Sequence, residues 1–362
     1  MKSEFEPRQG RKWRKRLGVA LLGFSFLAIV AAFLTPAPYV IESPGPVFNV
    51  LGTLDSHQII TVTGAKTYAS TGQLDALTVN ERGTPNQLPS WGEVAAAYLN
   101  PDEVLIPIEQ MFGPNTTTDQ VNKMVTKMML DSQRDAVAVG LKKSGVSYES
   151  WIAVDGIKKG SPADGVFLPD DKIISVNGAF PKSLEDMTST ISKLNGKPVA
   201  IELERAKKLM AVEITPVKDA ASGKWRVGLF ISYRYTFPFN VKVDLGNVTG
   251  PSAGMMFTLG IIEKLGPKSL TGGQHIAGTG TIDAAGNVGP IGGIQLKMKG
   301  ASRAGAKFFL APRDNCDEIV GHIPAGMQVV TVQNIDDALQ ALAPLEQGKS
   351  LPTASPLGCP SP

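Results

Sequence analysis

Hydrophobic positions along this chain fall into three textures. From Leu17 to Leu34 eighteen residues run without a charge. A bilayer span needs roughly 20 apolar residues, so this stretch, extended to Pro38, reads as a transmembrane helix. Behind it the pattern breaks into short units. "QIITVTG" (58–64), "QLDALTV" (73–79) and "VLIPI" (104–108) have the composition of strands, and "WGEVAAAYLN" that of a short helix. A longer helix is predicted from Thr118, with Val121, Met124, Val125, Met128 and Met129 on one face. That methionine stripe reads as core packing. The third texture is "MMFTLGII" from Met255, apolar on every side as in a fully buried helix. Gly250-Pro251-Ser252-Ala253-Gly254 stands directly before it, and Gly and Pro both break helices. Ser252 therefore sits on a tight turn at a helix start, as an N-cap or as a nucleophile.

Charge changes the reading of the first texture. Residues 1–16 hold seven Lys or Arg against Glu4 and Glu6, a local +5 in a chain of net +3. The remainder is weakly acidic, which gives no electrostatic case for nucleic acid. Basic residues before the apolar run place the N-terminus in the cytoplasm and the rest outside. The competing reading is a cleaved signal peptide. Thr-Pro-Ala-Pro after Leu34 is a poor cleavage site, and the run exceeds an h-region of about 7–15 residues. In an exported chain the two cysteines, Cys316 and Cys359, are expected to form a disulfide. The histidines, His57, His275 and His322, offer no metal-ligand spacing, so no metal is expected.

Residues 154–217 read as turn, strand, turn, helix and two strands. "KIISVNG" ends in an Asn-Gly turn. Leu184, Met187, Ile191 and Leu194 share a helix face, and "GSPADG" is expected to open a short helix at Ser161 and Pro162. "GSPADG…LPDDKIISVNG" resembles the central signature of PDZ domains, with Asp170 where glycine is usual. The resemblance implies peptide capture by strand addition at a sheet edge. "AVAVGL" (136–141) is the expected carboxylate-binding segment, with Val139, Gly140 and Leu141 as the peptide-contacting residues.

Downstream of Ser252, Thr281 to Val288 reads as a hairpin, and a helix is predicted from Ile294. Ile294, Lys297, Met298 and Ala301 fall on one face of that helix, whereas Lys299 lies roughly 200° further round. Lys297 thus stands in an apolar stripe, where it either snorkels to water or is buried. Burial and the positive end of the helix dipole both disfavour its charge. A neutral amine can act as general base for a serine. No histidine triad or Gly-x-Ser-x-Gly elbow surrounds Ser252.

"TGPSAGMMFTLGIIEKL…IAGTGTIDAAGNVGPIGGIQLKMKGASRAGAKFFLAP" resembles the proteolytic domain of the Lon family of serine proteases, over at least residues 235–345. The resemblance assigns Ser252 as nucleophile, Lys297 as its catalytic partner and Thr279 as the residue contacting that lysine. It makes Gly250, Pro251, Ala253 and Gly254 the turn that frames the oxyanion site. Thr249 stands where the family usually has an acid. No Gly-x-x-x-x-Gly-Lys-[Ser/Thr] occurs, so no nucleotide or other cofactor is expected.

Anchor, PDZ-like module and protease together resemble the ATP-independent, PDZ-containing Lon-like proteases of Gram-positive bacteria. The expected fold is α+β: a transmembrane helix, a Lon-type α/β domain and a β-rich PDZ-like module inserted into it. The expected boundaries are a basic cytoplasmic segment 1–16, anchor 17–38, protease 39–145, PDZ-like module 146–218, protease 219–346 and Pro-rich tail 347–362. The expected function is hydrolysis of exported or membrane-proximal proteins at the outer face of the cell membrane. Protein or peptide substrates are the expected partners, and the resemblance implies a homo-oligomeric ring, a hexamer. The alternative is an inactive, membrane-tethered PDZ scaffold that binds protein C-termini.

Overall fold

The structure, a computed structural model, describes residues 9–113, 116–181, 183–220, 222–246, 248–349 and 358–359. Most of the Pro-rich tail and the first eight residues of the basic segment lie outside the described residues. Helix α1 (Gln9–Leu34) contains the apolar stretch Arg16–Leu34, with mean hydropathy 2.5 and none of it buried. It is long and apolar enough to cross a membrane, a test that a signal sequence also passes. The helix stops at Leu34 rather than reaching residue 38. Pro36 bridges to Ser90, and Ala37 is fully buried with its N–H donating to Pro89 O at 2.7 Å. Proline lacks the N–H that a helix interior requires, so residues 35–38 join the globular part.

A six-stranded sheet forms the centre. Its strands are β1 (Tyr39–Asn49), β3 (Gln73–Arg82), β4 (Val104–Pro107), β11 (His275–Gly278), β14 (Phe308–Pro312) and β15 (Gln328–Val332), in the order β15-β14-β11-β3-β1-β4. Strands from residues 39–107 and 275–332 thus share one sheet. A small pair, β2 (Ile60–Thr63) with β10 (Asn240–Val243), joins the two segments again. β1 runs antiparallel to β3 and β4, whereas β3, β11, β14 and β15 are mutually parallel. Parallel neighbours need crossovers, and the sheet is accordingly covered on both faces. Leu74, Ala76, Ile276 and Leu310 pack on one side with α5 (Gly254–Leu265). Leu77, Ala277, Phe309 and Ala311 pack on the other with α6 (Ile294–Arg303). The expected all-round burial of α5 is met, with Met255, Met256, Leu259 and Ile261 fully enclosed.

Helix α3 (Thr118–Lys143) departs from expectation twice. Only its second half is buried, from Ser132 to Leu141. The methionine stripe is not core: Met124 and Met128 are 57% and 39% exposed. The segment 136–141 is not a carboxylate-binding loop either. Val139 and Leu141 are buried in the helix, and a Cβ on Gly140 would lie 2.9 Å from Ile261 Cβ. Gly140 is there because α3 and α5 cross closely, which removes 139–141 as a peptide-binding edge.

A second sheet has its own core. Its strands are β5 (Glu149–Ile157), β6 (Lys172–Val176), β7 (Val199–Arg205), β8 (Lys208–Ile214) and β9 (Leu229–Thr236), in the order β8-β7-β6-β5-β9. Helix α4 (Leu184–Lys193) packs Met187 and Ile191 against Ile152, Phe167, Val199 and Ile201. β9 therefore belongs to this sheet although it lies beyond residue 218, the expected end of the module. Ser161–Val166 is a run of turns closed by three-residue bonds, Asp164 N to Ser161 O and Val166 N to Ala163 O, not a helix. Asp170 adopts φ +68°, the left-handed conformation that explains a usual glycine and that Asp tolerates. Asp171, 1% exposed, receives a forked pair of bonds from Arg205 at 2.7 and 2.6 Å. That signature acid is thus a structural clamp. Tyr235 Oη donates to Asp135 at 2.7 Å and so ties β9 to α3.

Candidate active site

The turn before α5 is held from two directions. Ser252 O accepts from Gly280 N at 2.7 Å and from Thr279 Oγ1 at 3.0 Å. Pro251 O accepts from Ser132 Oγ at 3.0 Å. Gly250 has φ +105°, and a Cβ on Gly254 would lie 2.5 Å from Ser132 Oγ and 2.7 Å from Ile282 Cγ2. The glycines therefore provide a left-handed turn and a close approach of two elements. Ala253, not Ser252, is the N-cap of α5, and no side chain caps that helix. The Ser252 hydroxyl is free for another role.

That role is set by α6. The helix starts after Gly293 (φ +67°), whose missing Cβ would meet Val79 Cγ1 at 2.8 Å. The close approach presses the first turn onto the sheet and points Lys297 inward. Lys297 is 3% exposed, and its Nζ donates to Ser252 Oγ at 2.9 Å and to Thr279 Oγ1 at 3.4 Å. With the amine neutral, the same contact lets the Ser252 hydroxyl donate to Nζ. Burial lowers the Lys297 pKa to about 8, against the pull of Glu42 and Glu81. Lys299 points away, donating to Pro101 O at 2.5 Å beside Asp102. None of the described hydrogen bonds uses the N–H of Ser252 or Ala253, so both remain able to face a developing oxyanion.

The pair opens onto a cleft of about 820 Å³. Met111, Val121, Val125 and Met129 line it together with Glu42, Glu81 and Thr249 of the serine loop. Three of the five residues of the supposed core stripe, Val121, Val125 and Met129, thus line the cleft. Ser132, Glu42 and Glu81 are site residues that sequence reasoning missed. Glu42 and Glu81 meet only through the register of β1 and β3. Ser132 reaches Pro251 across 119 positions of sequence.

Residues 240–344 match the Lon protease (S16) C-terminal proteolytic domain. This part of the chain is similar to the Lon-family proteolytic domain. The Lon protease of Fusobacterium nucleatum is 40% identical over 91 residues, covering 24% of this chain and 12% of that protein. The Lon protease of Campylobacter concisus is 29% identical over 161 residues, covering 43% and 20%. A Xylella fastidiosa protein named "Putative zinc metalloprotease" is 26% identical over 280 residues, covering 69% of this chain and 62% of that protein. The chain thus spans less than two thirds of the length of these relatives. The PDZ domain of the SdrC-like protein from Listeria monocytogenes aligns at 23% identity, over 24% of this chain and 90% of that one, with a TM-score of 0.22.

The zinc in the Xylella protein's name finds no matching donor set here. Among the described residues no three His, Cys, Asp or Glu are grouped to hold a metal ion. Cys316 and Cys359 are joined to each other, Cα atoms 5.5 Å apart, and His275 is bonded to Asp75.

Proposed function

We propose that this chain is a serine endopeptidase in which Ser252 is the nucleophile and Lys297 the general base. The observation that carries the reading is the 2.9 Å contact between Ser252 Oγ and a lysine Nζ shut away from water. In the neutral form Lys297 accepts the Ser252 proton as Oγ attacks the scissile carbonyl. The N–H groups of Ser252 and Ala253 stabilise the oxyanion as the C–O bond forms. Lys297 then returns the proton to the leaving amine, and the C–N bond breaks. A water molecule, deprotonated by the same amine, releases the acyl group and restores Ser252. Thr279 holds Lys297 and the serine loop in register. No nucleotide-binding loop occurs in this chain, and we read the hydrolysis as independent of ATP.

The second sheet, residues 149–236, we read as a PDZ-like module inserted between α3 and β10. Both flanks return to the six-stranded sheet and the β2–β10 pair, which supports insertion. Its outer strand β9 is a sheet edge, and Gly228 before it packs against Ser161 so closely that a Cβ would overlap that side chain. We place peptide addition along this edge, at Leu229–Ile231, instead of at 139–141. In this reading α1 anchors the chain in the cell membrane with both folded parts outside. A fluorophosphonate probe tests the enzymatic reading: it should label the wild type and not Ser252→Ala. An inert wild type would favour a scaffold without catalysis.

A further inference from the structure

Glu42 and Glu81 occupy directly opposed positions on β1 and β3. Both line the cleft that holds Ser252 and Lys297. Glu42 is 3% exposed, whereas Glu81 is open to solvent. Among the described residues no hydrogen bond or ion pair reaches the Glu42 carboxylate. Its Oε2 lies against the start of α6, where a Cβ on Gly293 would approach to 3.2 Å. Lys297 is the one cation lining the cleft among the described residues, and its Nζ is committed to Ser252 and Thr279. A buried carboxylate without a donor is costly, and opposing two carboxylates across a strand pair adds repulsion. Both costs are relieved when a cation enters between them.

We propose that Glu42 and Glu81 form a specificity subsite that receives a cationic substrate side chain, so that peptides bearing Lys or Arg near the scissile bond are preferred. The proposal rests on the proteolytic reading of Ser252 and Lys297. Val121, Val125 and Met129, which line the same cleft, suit the aliphatic stem of such a side chain. Glu42 and Glu81 are specificity residues in this account and do not touch the reacting atoms.

The test uses the full chain and fluorogenic peptides that differ only in Lys or norleucine, scanned through the positions on either side of the cleaved bond. At one position Lys should raise kcat/KM by about tenfold or more, the scale of a charge-assisted hydrogen bond. Glu42→Gln and Glu81→Gln should each cut that preference to about threefold or less. A role confined to tuning Lys297 would alter both peptides alike and leave their ratio unchanged. Should Glu42→Gln fail to fold, Glu81→Gln at an exposed position carries the comparison. Equal cleavage of both peptides by the wild type at every position would overturn the subsite, as would a preference surviving in the variants. Fluorophosphonate labelling of the same samples separates the two levels. A labelled enzyme without lysine preference removes only the subsite, and an unlabelled, inactive one removes the proteolytic reading with it.

Discussion

Thr279 Oγ1 donates to Ser252 O at 3.0 Å and stands 3.4 Å from Lys297 Nζ, so one hydroxyl touches both partners of the proposed dyad. Thr279 is fully buried and lies between the serine loop and the lysine. Thr279→Val keeps the shape and removes the hydroxyl. It should lower kcat by about 10–100-fold with little change in KM, as loss of a supporting hydrogen bond does elsewhere. Steady-state kinetics on a peptide substrate measures the split. A kcat within twofold of wild type would deny Thr279 a positioning role.

The depressed pKa of Lys297 gives a pH dependence with a defined sign. Activity should rise with pH through about 8 as the amine becomes neutral. Stability should follow a linked course. The folded pKa is about 8 and the ordinary value 10.5, so between them the unfolded chain binds more protons. Wild-type stability relative to Lys297→Met should therefore increase as pH rises across that window, by about 3 kcal/mol at most. Below the window the charged, buried amine is a net cost, and Lys297→Met should melt higher. Denaturant titrations of both proteins at pH 7 and pH 10 test this. A pH-independent difference would mean that Lys297 titrates normally.

At Gly254 the backbone approach leaves no room for a methyl group. Gly254→Ala would press Cβ onto Ser132 Oγ and Ile282, including the Ile282 backbone N at 3.0 Å. The expected cost is about 1–3 kcal/mol, with loss of activity because the serine loop moves. Calorimetry and peptide hydrolysis would check both. An unchanged melting temperature would contradict the crowding.

The disulfide between Cys316 and Cys359 closes a loop with a sequence separation of 43. Chain entropy sets an upper contribution of about 4 kcal/mol. It holds Gly358 against Thr331 on β15, two strands across the sheet from β11, whose end meets the serine loop. Cys359→Ser should lower the melting temperature and leave kcat/KM unchanged. Loss of catalysis at a temperature where the variant is folded would contradict this separation.

Much of the candidate site was legible because its cues are local. Gly250-Pro251-Ser252 breaks a helix wherever it stands, and helix phase alone separates Lys297 from Lys299. What depends on partners distant in sequence was not legible. Periodicity marks Val121, Met124, Val125, Met128 and Met129 as an apolar face but does not say whether protein, substrate or solvent meets it. "AVAVGL" alternates like an edge segment, yet α5 packs against it and holds it helical. Glu42 and Glu81 are drawn together by the register of strands separated by the β2 segment, which no local pattern encodes. β9 lies beyond a Gly- and Lys-containing turn, so the local pattern closes the second sheet one strand early.

The central claim is that Lys297, and not Lys299, activates Ser252. Lys297→Met preserves the volume in an apolar stripe, so the fold should survive, as circular dichroism and melting would verify. Peptide hydrolysis at pH 8 should then fall by about three orders of magnitude or more, since losing one member disables the pair. Lys299→Met, at a residue bonded to Pro101 on the outer face, should retain most of the wild-type rate. Near-normal turnover by a folded Lys297→Met protein would contradict the Ser252–Lys297 assignment.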